Sequence, residues 1–250
     1  MSTKSITKSI IRNKIEKLLA KEFYLTVKAL GGKGTVYSVN TDAEKPYIKI
    51  LAYRNCVAVC TCERLHAKVR ALLQDRSRDE IFEMPFVYGQ TIHYVPDFER
   101  TVPVPAPPGC EWEFLMGEKI RSLNGLKGFE NALAFDENGS TPTRAVCIAR
   151  CGGRIIGAAG AADSSVDGVW EAGVDVMEAY RGAGLGTCLV DRLTRELLTR
   201  EIVPFYSASV TNLGSQMVAA RCGYRPMWVD TFGTVLDGSS VYEEFVRELK

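Results

Sequence analysis

The sequence predicts a mixed α/β protein in two domains, a smaller α/β domain over residues 1–105 and a larger one over residues 106–250. Three observations carry this reading. TVPVPAPPG, residues 101–109, puts four prolines into nine positions, and proline stiffens a chain into an extended linker. Formal charge changes sign at the same place. Residues 1–109 hold 17 Lys and Arg against 11 Asp and Glu, a net of +6; residues 110–250 hold 14 against 19, a net of −5. After the linker the apolar spacing runs strand, strand, strand, helix, strand, helix.

In the first domain, Ile11, Ile15, Leu18 and Leu19 recur at helical spacing and predict an amphipathic helix. Its polar side is basic: eight Lys and Arg lie within residues 1–33, and a solvated helix face is the expected reading. Docking onto the more acidic half, a membrane surface or nucleic acid stays open. Gly31-Gly32-Lys33-Gly34-Thr35 lacks full phosphate-loop spacing and is expected to be a hairpin turn. YIKILAYRN and CVAVCTC predict two strands divided by a turn at Arg54-Asn55. ERLHAKVRALLQ predicts a helix with Leu65, Val69 and Leu72 along one side.

In the second domain, EWEFLMGEKIRSL and KGFENALAF predict short helices. RAVCIAR and RIIGAAGAA, joined by Cys151-Gly152-Gly153, predict a β-hairpin. GVWEAGVDVM is a third strand. LGTCLVDRLTRELLTR sets Leu185, Leu189, Leu193 and Leu197 four apart, an amphipathic helix. VPFYSASV predicts a strand and LGSQMVAARCGY a short helix.

Composition narrows the function classes. Net charge is only +1, so nothing marks the chain as a whole as a polyanion binder. No apolar run reaches the roughly 20 residues of a membrane span, and MSTKSITKSIIRNK lacks an export-signal core. The expected compartment is the cytoplasm. Cys56, Cys60, Cys147 and Cys188 lie in apolar runs, as buried free thiols do in reducing compartments. Cys56, Cys60, Cys62 and His66 have neither a zinc knuckle's spacing nor a loop to sit on, so no metal is expected. The only histidines are His66 and His93, which leaves residues 106–250 without one for a histidine-based nucleophilic site.

The segment VDVMEAYRGAGLGTCLV, residues 174–190, carries the chemistry. A basic, glycine-rich turn leads directly into a helix. Free N–H groups and the positive end of the helix dipole make such a start an anion site. Glycine lets the backbone approach a phosphate, and Arg181 adds a forked cation. The expected ligand is a cofactor carrying a pyrophosphate. The Gly-Lys-Ser/Thr of a phosphate loop is absent, and the glycines come too late in the domain for a dinucleotide fingerprint.

Arg181-Gly182-Ala183-Gly184-Leu185-Gly186, placed between Val-Asp-Val and a leucine-rich helix, resembles the acetyl-CoA motif of the GNAT N-acetyltransferase superfamily. Asn212-Leu-Gly-Ser215 followed by Arg221-Cys-Gly-Tyr224 resembles that superfamily's next segment. The resemblance covers roughly residues 110–230 and leaves residues 1–105 outside. It implies a GNAT-like fold, acetyl-CoA as co-substrate, and acyl transfer to a primary amine on a small molecule or peptide. It implies that main-chain groups of Val174, Asp175 and Val176 pair with the pantetheine arm. Arg181, Gly182, Ala183, Gly184, Leu185, Gly186 and Thr187 would cradle the pyrophosphate. Asn212 would lie near the cofactor arm where two strands part, or serve only as the cap of the following helix.

The attacking amine must lose a proton, so a base is required. Glu171 is the first candidate and Asp175 the second. On a regular strand both share a face with Gly173, opposite Val174 and Val176. The superfamily's usual acid, a tyrosine seven residues after the asparagine, is replaced by Ala219; Ser207, Ser209 or water are left to assist the departing thiolate. That replacement keeps a second reading open, a CoA-binding sensing or interaction module without turnover. The domain over residues 1–105 is expected to narrow the acceptor site or dock a partner, or to be a diverged relative of the same fold.

Overall fold

The computed structural model describes residues 6–84, 87, 89–97, 99, 104–105, 107–231 and 233–235. Of the proline-rich stretch, residues 101–103 and 106 lie outside the described residues, as do residues 1–5 of the basic N-terminal segment. In chain order the helices and strands are α1 (Lys8–Glu22), α2 (Val27–Leu30), β1 (Gly34–Val39), β2 (Tyr47–Tyr53), β3 (Cys56–Thr61), α3 (Glu63–Leu73), α4 (Arg78–Phe82) and β4 (Thr91–Pro96). They continue with β5 (Glu111–Met116), a 3-10 turn (Gly117–Leu123), α5 (Glu130–Leu133), β6 (Thr143–Cys151), β7 (Arg154–Asp163) and β8 (Val169–Val176). The last are α6 (Leu185–Leu198), β9 (Val203–Ser209), α7 (Leu213–Arg221), β10 (Tyr224–Asp230) and β11 (Thr234–Val235). The protein is a mixed α/β fold.

By contact the chain forms two compact units, and neither is one continuous run. Of the described residues, the first comprises those within 6–14, 94–207 and 212–226, and the second those within 15–93, 208–211 and 227–235.

In the first unit the strand order is β5, β6, β7, β8, β9, then Tyr94–Pro96 of β4 and the start of β10. The last three residues of a strand encoded before the linker therefore belong to the unit that holds the glycine turn. β5 to β8 are antiparallel neighbours, whereas β8 and β9 are parallel and need a crossover, which α6 supplies. Leu185, Leu189, Leu193 and Leu197 of α6 are buried, as their spacing predicts. On the other sheet face Ile120, Leu123, Phe129 and Leu133 pack with Val146, Ile148 and Ala158. The β6–β7 hairpin turns at Gly152 and Gly153, both at positive φ (55° and 77°).

EWEFLM is not helical. Glu111, Trp112, Glu113, Phe114 alternate polar and aromatic, and that two-residue period wins: β5 pairs with β6. Its rings accept cations from α6 and the turn after it, Arg192 over Trp112 at 4.2 Å and Arg200 over Phe114 at 4.9 Å. The basic start of α1 is bonded rather than merely solvated. Lys14 donates to the carbonyls of Gly168 (3.1 Å) and Glu201 (2.9 Å), and Lys8 pairs with Asp97 (3.3 Å) and Glu99 (2.7 Å).

In the second unit β1 runs parallel to β3, β3 is antiparallel to β2, and β2 pairs with the end of β10 and with β11. The turn dividing β2 from β3 falls at Arg54, in the left-handed region at φ 53°. Gly31–Thr35 is not a hairpin turn: it leads from α2 into β1, whose neighbour is parallel. Ile48, Ile50, Val57 and Val59 pack against Leu65, Val69 and Leu73 of α3. The buried stripe thus ends on Leu73, while Leu72 is 37% exposed. Positions 65, 69 and 73 keep the four-residue step that 72 breaks.

Cys56, Cys60, Cys62, Cys147, Cys188 and Cys222 are buried free thiols. Burial pushes Cys147 and Cys222 up to about 12, so both stay protonated at neutral pH. The packing of α3 is checked by two truncations. Leu73→Ala is expected to cost about 2–5 kcal/mol in urea unfolding, and Leu72→Ala no more than about 0.5 kcal/mol. Equal costs would contradict the assigned register.

Candidate active site

The glycine turn is built from the end of β8. Met177 N–H donates to Ile156 O (2.9 Å), holding the strand end to β7. A short 3-10 turn, Glu178–Tyr180, follows. Arg181 then folds back, its Nε donating to Val176 O at 2.9 Å. Gly182 and Gly184 take φ values of 81° and 83°, and a Cβ on either would meet nothing within 4 Å. What excludes other residues there is the left-handed backbone, not lack of room.

Gly184 is the cap of α6, and the first bond of that helix runs from Cys188 N–H to Gly184 O (3.0 Å). The N–H groups of Leu185, Gly186 and Thr187 precede it and point out of the helix end. They open on a cleft of about 340 Å³ that brings together Val176, Arg181, Gly182, Gly184, Leu185, Gly186 and Thr187. Ala183 is exposed between the two left-handed glycines. Tyr180, Met217, Val218 and Arg221 also line the cleft and escaped sequence reasoning. Arg221 opens the Arg-Cys-Gly-Tyr segment, which was a usable signal; the α7 side chains gave none.

The second feature is a ladder that stops. β8 and β9 pair from Val169–Val203 to Ala172–Tyr206, and among the described residues no further pair joins them, although β8 runs on to Val176. β8 keeps an unbroken register with β7 from Asp163–Trp170 to Gly157–Val176. Because Met177 bonds to Ile156, ladder parity turns the main chains of Asp175 and Gly173 toward β7. Val174 therefore presents N–H and C=O on the open edge, and Val176 its N–H, its C=O accepting from Arg181. Their side chains lie on the α6 face, where a Cβ on Gly186 would sit 3.5 Å from Val176 and 4.0 Å from Val174.

Glu171, Gly173 and Asp175 occupy the other face, as strand alternation requires. α5 lies flat on it because two paired glycines make room. A Cβ on Gly160 would fall 1.7 Å from Ala132 O, and one on its partner Gly173 2.1 Å from Asn131 O. Asp175 clamps the same helix, accepting from Asn131 Nδ2 (2.6 Å) and Ala132 N–H (2.9 Å). Both of its oxygens are thus engaged. Glu171 instead accepts the hydroxyl of Ser207.

Asn212 caps α7, its Oδ1 accepting from Ser215 N–H at 3.0 Å. Ala219, at the position of the superfamily's tyrosine, is fully buried. Tyr224 packs, bonded to Thr194 Oγ1 at 2.6 Å, and burial raises it above the ordinary phenol range. Tyr206, raised likewise by burial, sits edge-on to Tyr224 with ring centres 6.5 Å apart.

Residues 112–224 match the model of the acetyltransferase (GNAT) family. No curated protein matches the chain. Among solved structures, a GNAT-family acetyltransferase from Novosphingobium aromaticivorans is 20% identical at a TM-score of 0.45, covering 57% of this chain and 63% of its own. A GCN5-related N-acetyltransferase-like protein from Streptococcus suis is 14% identical at a TM-score of 0.48, covering 90% of this chain and 99% of its own. An aminoglycoside N-acetyltransferase solved with CoA is 19% identical at a TM-score of 0.37, covering 50% of this chain and 93% of its own. The chain spans less than two thirds of the first of these proteins.

The glycine pair beneath α5 is testable. Gly173→Ala is expected to destabilise the protein by about 1–3 kcal/mol and to release the Ala132 amide to hydrogen exchange. Wild-type stability with Ala132 still protected would show that α5 does not press on the sheet.

Proposed function

We propose that the chain, whose residues 112–224 match the model of the acetyltransferase (GNAT) family, binds acetyl-CoA and transfers its acetyl group to a primary amine by direct attack on the thioester. One observation carries the reading: the β8–β9 ladder ends at Ala172–Tyr206, beside a helix start whose free amides face a cleft.

In this reading the N–H groups of Leu185, Gly186 and Thr187 hold the pyrophosphate, with Gly182 and Gly184 shaping the turn. Arg181 adds charge through the part of its guanidinium not spent on Val176 O. Arg221, on the far wall of the cleft, offers a second cation for a phosphate. The open edge at Val174 and Val176 takes the amides of the pantetheine arm as an added strand would. The Val176 N–H is then a donor for the oxyanion. The acceptor arrives on the face of Glu171, which takes its proton. Asp175 serves as the clamp of α5 instead, since both its oxygens already accept. Asn212 does its capping work in α7.

A non-catalytic CoA-binding module is the second reading, favoured by the buried Ala219. One set of measurements separates the readings. Calorimetry is expected to show CoA binding, and Arg181→Ala to weaken it on the order of 10-fold, the worth of one charge-assisted hydrogen bond. Thiol release from acetyl-CoA is expected with at least one amine among peptides, polyamines, aminoglycosides and amino acids. Binding without release on any of them favours the module, and absence of binding removes both readings.

A further inference from the structure

The proposed transfer leaves the route of the protons undefined, and this inference rests on that reading. Glu171 stands one residue before the last β8–β9 ladder pair, whereas Ser207 stands one residue beyond it. Glu171 is therefore set back within paired strand, and Ser207 is at the mouth of the opening. Both lie on the α5 face: Glu171 is the register partner of Phe205, and Ser207 follows Phe205 by two. The Ser207 hydroxyl donates to Glu171 Oε1. A hydroxyl that donates to a carboxylate keeps two lone pairs for a donor arriving from elsewhere, here the opening.

The other candidate groups are spent or turned away. Asp175 is occupied by Asn131 and Ala132, and the phenol of Tyr224 is tied to Thr194. Tyr206 shares the opposite face with its register partner Ala172.

We propose that Ser207 is a catalytic residue of the transfer, passing protons between the acceptor nitrogen, Glu171 and the departing sulfur. The acceptor ammonium gives a proton to Ser207 Oγ while Ser207's own proton moves to Glu171. The neutral amine attacks the thioester carbon, forming the C–N bond and moving the C=O pair onto oxygen. The protonated Glu171 now donates to Oγ, which frees the serine O–H to turn to sulfur. The oxyanion's pair returns to re-form C=O as the C–S bond breaks, and the pair of that bond stays on sulfur. The second nitrogen proton passes to Oγ, and the serine proton passes to the thiolate. Glu171 returns its proton to water. The sum is ammonium and thioester to amide, free thiol and one released proton, with no further reactant.

The experiment uses the full chain and an amine that the wild type acetylates. Ser207→Ala is expected to lower kcat on the order of 100-fold, with the acetyl-CoA Kd and the amine KM within about 3-fold of wild type. Ser207→Thr, which keeps the hydroxyl, is expected to retain kcat within about 5-fold. In mixtures of light and heavy water, wild-type kcat is expected to give a curved dependence on deuterium content, as two protons in flight require, and Ser207→Ala a linear one. A merely structural serine would not move that curvature. If Ser207→Ala fails to fold, Ser207→Val against the isosteric Ser207→Thr gives the same contrast.

Wild-type turnover with an undiminished Ser207→Ala overturns the relay and leaves the transfer standing. An acetyl group found on Ser207 after incubation with acetyl-CoA alone overturns it in favour of a covalent route. If the wild type releases no thiol with any amine, the transfer itself fails and the relay falls with it.

Discussion

Most of what this chain can do follows from hydrogen bonds that two strands do not make. β8 and β9 start as ordinary parallel neighbours and part after Ala172 and Tyr206. Unpaired main-chain groups are costly when buried, so a strand edge left open asks for a partner. At Val176 that edge reaches a cleft, and the same cleft receives the start of α6. Two kinds of unsatisfied donor, from a strand edge and from a helix end, thus converge on one place. A ligand with amides at one end and a pyrophosphate at the other satisfies both, and acetyl-CoA is such a ligand.

The two faces of β8 divide the labour. On one, Val174 and Val176 support the α6 start through Gly186. On the other, three alternate residues have three different tasks. Asp175 fixes α5, Gly173 makes room for it, and Glu171 is left bonded to a hydroxyl at the mouth of the opening. The two carboxylates differ through their neighbours: Asp175 accepts two N–H donors from α5, whereas Glu171 accepts the hydroxyl of Ser207.

The elements that were legible in the sequence have strong periods or special backbone needs. Four leucines at a four-residue step marked α6, and glycines at positions that require positive φ marked the turn before it. Asn212 announced a helix cap by residue type. The misreadings arose where two periods compete over a short stretch. EWEFLM alternates as a strand does although it runs straight into a helical turn, and Leu72 lies one position short of Leu73, where the buried stripe ends. Neither the close approach of α5 to Gly160 and Gly173 nor the bond from Ser207 to Glu171 had a local signal, because each joins residues far apart in the chain. Nor does a proline-rich stretch reveal that β4, encoded before it, adds Tyr94–Pro96 to the unit containing the glycine turn.

The central claim is that backbone amides at the start of α6 hold the diphosphate of coenzyme A. Residue-resolved hydrogen exchange with and without CoA tests it most directly. The expected result is new protection at Leu185, Gly186 and Thr187, together with Val174 and Val176 on the open edge, and little change at Asp175, whose amide already faces β7. Saturating CoA that leaves those five amides exchanging as before, or that protects a different part of the chain, would contradict the account.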